Sequence, residues 1–193
     1  MIVTIARECG SGGHALGEQL AAHYGIPLLD KAVLMERADK AGVLEEMDDF
    51  FHEKPVNSLL YSIAMFNGEN TVGQRTLKTL RELITEPSFV LVGRCGNFLY
   101  GEEPDCVSLF IHRNAEQRAQ RFAQQEQISL PEARRRIRKV DENRAAFHKL
   151  YTGQVWGDVR SYQLALDAGR LNEQESLAVL ERYIDARCAG NAV

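Results

Sequence analysis

The sequence predicts an α/β protein built on a parallel sheet, and three observations carry that reading. Short apolar runs rich in β-branched residues recur at Ile2–Ala6, Ser88–Val92 and Cys106–Ile111. Runs of that length without polar alternation mark strands buried on both faces. Segments with apolar residues at helical spacing lie between them, and strands alternating with helices imply a parallel sheet covered on both sides. The third observation is the junction of the first strand with the first helix, where Gly10, Gly12 and Gly13 fall close together.

Taken in order, Ile2–Ala6 is the first strand and Leu16, Leu20 and Ala21 mark the helix that follows the glycines. Gly25 ends that helix, because a glycine tolerates the left-handed backbone of a helix C-terminus. Ile26-Pro27-Leu28-Leu29 is a short strand that delivers Asp30, and Lys31–Lys40 reads as a helix closed by Gly42. From Val43 to Glu86 the chain reads as a helical insertion between core strands. Leu59, Leu60, Ile63 and Ala64 fit one apolar face, and Leu77, Leu80, Leu83 and Ile84 another; Pro55 and Asn67-Gly68 punctuate them. The strand Ser88–Val92 ends in Gly93-Arg94-Cys95-Gly96. After the strand Cys106–Ile111, Asn114 with Gln117 forms a capping-box pattern opening a helix that carries Arg118 and Arg121. Ser129 with Glu132 opens the next, which carries Arg134, Arg135, Arg136, Arg138 and Lys139. Tyr162–Leu166 is the last strand. Asn172 with Glu175 caps a final helix whose apolar face runs Leu177, Leu180, Tyr183 and Ile184.

Composition bounds the function. A chain of 193 residues is a single-domain length, and 45% hydrophobic with 26% charged residues is ordinary for a globular protein. A net charge of −4 argues against general nucleic-acid or anionic-membrane binding. No apolar run approaches a membrane span, and Met1 leads straight into the first strand, so a cytoplasmic location is expected. Cys9, Cys95, Cys106 and Cys188 are scattered, as free thiols would be, and the five histidines show no metal-ligand spacing. No metal site made of protein ligands alone is expected.

The glycine loop reads as a phosphate cradle. Glycines let backbone N–H groups approach an anion, and a helix N-terminus adds unpaired donors and partial positive charge. It departs from G-x-x-x-x-G-K-[ST]: Arg7 stands at the first glycine, Gly13 at the lysine and His14 at the Ser/Thr. Arg7, Ser11 and His14 are its polar replacements. From Arg113 to Arg144 there are eight arginines and one lysine against five acids. A solvated helix face accounts for part of this, but the preference for arginine favours a phosphate-facing lid. Arg94, at the C-terminal end of a buried strand, points to the crevice where such sheets bind ligands. Asp30 reads equally well as a helix cap. Cys95 and Cys106 read as core residues, and Trp156 as packing with base stacking open.

The chain resembles the cytidylate kinase-like family of P-loop nucleoside monophosphate kinases over nearly its whole length. The likeness runs through I-A-R-E-C-G-S-G-G-H-A-L-G (Ile5–Gly17), I-P-L-L-D-K (Ile26–Lys31) and V-L-V-G-R-C-G-N-F-L (Val90–Leu99). It continues through Leu109–Arg121, K-V-D-E-N-R (Lys139–Arg144) and Y-T-G-Q-V-W-G-D (Tyr151–Asp158). The resemblance implies a P-loop NTPase-like, doubly wound parallel sheet, with an NMP-binding insertion at about residues 30–86 and an arginine-rich lid at about 114–150. It implies ATP and Mg²⁺ as cofactors and CMP or dCMP as acceptor. Gly10, Ser11, Gly12 and Gly13 would hold the donor phosphates, with Arg7 and His14 beside them. Asp30, Arg94 and Asp141 would face the acceptor, and Arg94, Arg118, Arg121 and Arg144 would carry the catalytic charge. Cys95 stands where cytidylate kinases usually place an aspartate. A catalytically impaired nucleotide-binding module and a kinase of another small molecule are the alternatives.

Overall fold

The computed structural model describes residues 1–53 and 72–189. Pro55, Leu59, Leu60, Ile63, Ala64, Asn67 and Gly68 lie outside the described residues. Five strands form one parallel sheet in the order β2-β3-β1-β4-β5: β1 (Ile2–Arg7), β2 (Leu28–Leu29), β3 (Phe89–Val92), β4 (Cys106–His112) and β5 (Leu164–Asp167). The helices are α1 (Gly13–Tyr24), α2 (Lys31–Lys40), α3 (Leu44–Phe51), α4 (Val72–Glu82), α5 (Gly96–Tyr100), α6 (Ala115–Glu126), α7 (Leu130–Thr152) and α8 (Glu173–Ala189).

The strands are apolar throughout because alternate residues serve different layers. Ile2, Phe89 and Leu91 pack with Leu29, Leu34, Phe50 and Leu80 on one face. Val3, Ile5, Val90 and Val92 pack with Leu16, Leu20, Leu180 and Ile184 on the other. Leu77 and Leu80 of α4 are buried in the first layer, with Leu83 and Ile84 beside them.

Boundaries differ from the sequence reading where backbone donors decide. Strand β2 has only Leu28 and Leu29, because Pro27 has no N–H to give and offers only its carbonyl, which accepts from Val90 N. Strand β5 begins at Leu164, because Tyr162 N turns back to Val159 O and closes a 3₁₀ turn over Val159–Ser161. The capping boxes divide. Asn172 and Glu175 exchange both hydrogen bonds, at 2.8 and 2.9 Å. Asn114 instead receives Glu116 N, and Gln117 donates to Gly169 O, so that pair forms no reciprocal box. Ser129 accepts from Glu132 N, while the Glu132 carboxylate turns outward to Arg135 and Arg136.

One element joins periphery to core. Helix α7 runs unbroken for 23 residues. Its N-terminal half packs Ala133 and Ile137 against Ala119 and Cys9. Its C-terminal half sets Phe147 and Tyr151 against Phe50, with ring centroids 5.1 and 5.0 Å apart. Arg144 projects between these halves, at the C-terminal edge of the sheet.

Candidate active site

The loop after β1 has the geometry its glycines predict. Gly10 and Gly12 adopt φ of 76° and 93°, in the left-handed region open to glycine. A Cβ on Gly10 would lie 2.7 Å from the Arg118 carbonyl oxygen. Ser11 is buried, and its hydroxyl accepts from Gly13 N at 3.3 Å. Among the described residues, the N–H groups of Gly10, Gly12, His14 and Ala15 have no acceptor in the chain. They line a cavity of about 390 Å³ together with Arg7, Arg121 and Arg144. The Arg121 guanidinium stands over Gly12, 3.6 Å from where a Cβ would sit, and pairs only loosely with Glu173 at 3.7 Å.

A second cavity opens beside the first, lined by Arg7, Glu53, Arg94, Asn97, Arg144 and His148 among others, and it is about 20 Å³, room for one water. Arg94 is delivered by a strained turn: Gly93, Arg94 and Cys95 have φ of 81°, 54° and 56°. Non-glycine residues in that region carry strain, which concentrates at functional sites. Arg94 is 4% exposed, donates to Phe50 O at 2.9 Å, and lies over the rings of Phe50 and Phe147. Arg7 runs from β1 between two glycines. A Cβ on Gly13 would come within 2.6 Å of the Arg7 Cβ, and one on Gly93 within 2.3 Å of its guanidinium. Arg144 donates to the Arg7 carbonyl at 3.0 Å.

These arginines crowd one another. Burial, then the charges of Arg144 and Arg94, push the Arg7 pKa down to about 9, against the opposing pull of Glu53. A guanidinium still carries its proton at neutral pH, so the shift reports a buried positive charge with two others close by. The Arg94 pKa is lowered chiefly by burial and also by Arg144. The Lys31 pKa is lowered by burial and then by Arg94. Arg94 Nε and Arg144 Nε are buried with no hydrogen-bond partner. Glu53 is the carboxylate against the cluster, 3.3 Å from Arg94 and 3.6 Å from Arg144. No sequence signal distinguishes Glu53; only the packing of α3 brings it here.

The other expected residues are placed as follows. Asp30 caps α2, accepting from Val33 N at 3.0 Å, and its second oxygen lies 3.7 Å from His14 Nε2. Arg118 and Asp141 stand behind the glycine loop. Arg118 pairs with Asp141 at 2.6 Å and with Glu8 at 3.2 Å and donates to Cys9 O, while Asp141 accepts from Cys9 N. They brace the loop from outside both cavities. Arg134, Arg135 and Arg136, expected to face phosphate, pair with Glu116 or Glu132 on the exposed surface. The solvated-face reading describes those positions. Cys95 and Cys106 are buried, and burial raises both thiols, as core residues would show. Trp156 packs edge-on against Phe110 at 5.5 Å and also lines the smaller cavity. No cluster of three potential metal ligands occurs among the described residues, and no helix among them is long and apolar enough to cross a membrane.

Comparison with known proteins places this geometry. The family model described as "Cytidylate kinase-like family" matches residues 2–170. A Methanopyrus kandleri protein named cytidylate kinase is 30% identical over 195 residues, covering 96% of this chain and 93% of that one. A Methanothrix thermoacetophila protein of the same name is 24% identical, covering 93% and 95%. Among solved structures, an uncharacterized protein from Eubacterium ventriosum superposes with a TM-score of 0.74 at 28% identity, covering 96% and 98%. Shikimate kinase from Bacteroides thetaiotaomicron superposes at 0.51 with 15% identity and the same coverage, a likeness of fold alone. The parallel sheet and its flanking helices thus have the P-loop NTPase-like α/β fold.

Proposed function

The chain belongs to the cytidylate kinase-like family, and from that premise we propose that it transfers the terminal phosphoryl group of ATP to a nucleoside monophosphate, CMP or dCMP. The names of its relatives support kinase action on a nucleotide or small molecule; the acceptor and the residue roles are our reading. One observation carries it. Arg7 and Arg144 line both the glycine-loop cavity and the arginine cavity, so two guanidinium groups lie between a seat for donor phosphates and a seat for an acceptor phosphate.

In this reading the free N–H groups of Gly10, Gly12, His14 and Ala15 hold the donor's phosphates, with Arg121 over Gly12. Arg94 holds the acceptor phosphate with Nε and a terminal nitrogen, a paired geometry that lysine cannot copy. Arg7 and Arg144 face the oxygens of the group in transit. Their charge is fixed before reaction, and phosphoryl transfer depends chiefly on positioning and on charge already in place. Arg7 thereby takes over the work of the missing loop lysine. Arg118 and Asp141 act through the loop they brace, as positioning residues. Asp30 stands at the acceptor side with one oxygen uncommitted to its cap. The α6–α7 hairpin, with Arg121 on its inner side, is the proposed lid.

The donor set does not make a protein-held Mg²⁺ site. His14 replaces the loop hydroxyl, and the Ser11 hydroxyl is buried against Gly13 N. Mg²⁺ in this reading arrives on the nucleotide's own phosphate oxygens with its waters, a mode common for this ion.

The same replacements at Gly13 and His14 favour a second reading, a module that binds nucleotide without transfer. Phosphorus NMR of ATP incubated with CMP, dCMP, UMP, AMP or shikimate separates the two. We expect diphosphate from a cytosine monophosphate at the highest rate. Nucleotide-dependent thermal stabilisation without transfer to any acceptor would leave the module reading in its place.

A further inference from the structure

We propose that Glu53 is a built-in competitor for the acceptor's phosphate, holding the arginine seat until a dianion displaces it and so selecting phosphate monoesters over carboxylates. The inference rests on the reading of Arg94 as the acceptor's seat.

Three features of the structure converge on it. The Glu53 carboxylate spans the two arginines, Oε1 toward Arg94 and Oε2 toward Arg144, where two oxygens of a phosphate would fit. Its distances of 3.3 and 3.6 Å exceed the 2.7–2.9 Å usual for charge-assisted hydrogen bonds; Arg94 Nε makes no hydrogen bond, and Arg144 Nε meets Glu53 only across the 3.6 Å gap. The seat is therefore filled loosely. Glu53 itself has φ +49°, the left-handed geometry of the residue that closes α3, where its N–H donates to Phe50 O at 3.3 Å. With Glu53 in place the cavity holds about 20 Å³, too little for a phosphate to enter beside it.

The chemistry of exchange then sets the selectivity. A free carboxylate that displaced Glu53 would exchange like for like, against a rival tethered close by and so present at high effective concentration. A phosphate dianion brings a second charge and further oxygens, which reach Arg94 Nε as well as the Arg144 Nε that Glu53 vacates. A ligand meeting a site open only part of the time binds more weakly by that fraction. Removing the rival must therefore tighten phosphate binding and let small carboxylates in.

Calorimetric titration of the full chain with inorganic phosphate and with acetate tests this, using Glu53→Gln and Glu53→Gly. The second variant also suits the positive φ, which guards against misfolding from strain. We expect phosphate to bind about tenfold tighter in both variants, as for a seat about nine-tenths occupied. Acetate should bind the variants and leave the wild type silent. Adding Arg94→Lys to Glu53→Gln should erase the gain, which assigns it to the arginine cavity rather than the glycine loop. Phosphate binding unchanged or weakened in both single variants, or a gain that survives Arg94→Lys, would overturn the proposal. Turnover of monophosphates without the tightening sinks this inference alone. Tightening without turnover sustains it while the kinase reading falls.

Discussion

Around Arg118, charged and polar neighbours close in at hydrogen-bonding distance: Asp141 at 2.6 Å, the Cys9 and Arg113 carbonyls at 3.0 Å, Glu8 at 3.2 Å. Around Arg94, one carbonyl is met at 2.9 Å, the carboxylate stays at 3.3 Å, and Nε has no partner. Both side chains are buried and both carry the same fixed charge. The contrast separates two uses of arginine. A guanidinium whose donors are met by the fold holds the fold together, whereas one left short of acceptors, beside others like it, has the free donors that the proposed acceptor seat requires. The free energy of the second arrangement is a cost the core must carry, since burying unpaired charge is unfavourable.

That contrast is broken first at Arg118. Arg118→Ala strands Asp141 and Glu8 beside the loop, and we expect a loss of about 3–5 kcal/mol in stability, as for a buried pair deprived of one partner. Chemical denaturation measures it, and turnover per folded molecule should change far less. A variant of normal stability with no turnover would move Arg118 into the reacting cluster.

Arg94→Lys probes the other side. Loss of a charge-assisted hydrogen bond worth about 1.5–3 kcal/mol predicts a fall of about ten- to a hundredfold in kcat/KM for the acceptor. Melting should shift little, because the charge and the aliphatic stem remain. A destabilised variant with normal kinetics per folded molecule would make Arg94 a second Arg118.

The smallest effect sharpens the comparison at His148. It is 3% exposed, its Nε2 has no partner, and burial lowers its pKa from 6.5 to about 4. The folded state thus resists the proton that the unfolded chain accepts. Its contribution is complete above the unfolded value near 6.5 and is lost as pH falls toward 4. Between pH 6.5 and 5 we expect a decline of about 1–2 kcal/mol, absent in His148→Gln. An identical pH profile in that variant would show that the folded state does not lower the His148 pKa.

Much of the molecule was legible before its coordinates. Strands, helices and the glycine loop were readable because each is written in contiguous residues, as in Ile2–Ala6 or Lys31–Lys40. Arg94 was readable because its place at a strand end follows from the strand. The sequence puts Arg118 among the catalytic charges and Asp141 at the acceptor; their pairing with each other is not legible in it, because no sequence says whether a guanidinium finds acceptors within the fold. Glu53 was invisible for the same reason: Asp-Phe-Phe-His-Glu has no period or spacing, and its meaning depends on Arg94 and Arg144, 41 and 91 positions away. Lys31 reads only as the start of a helix and the end of the I-P-L-L-D-K stretch, although burial and then the charge of Arg94 lower its pKa.

The passage of Arg7 between Gly13 and Gly93 restricts what this sequence can become. Restoring the standard loop lysine at position 13 would place a Cβ 2.6 Å from the Arg7 Cβ, so the lysine cannot enter while the arginine stays. Removing Arg7 first would leave the loop with neither cation. Each single step is therefore worse than either endpoint, and the two sites are coupled as contacting residues are. Gly93 is restricted as well, by its own left-handed φ of 81° and by the Arg7 guanidinium lying against it.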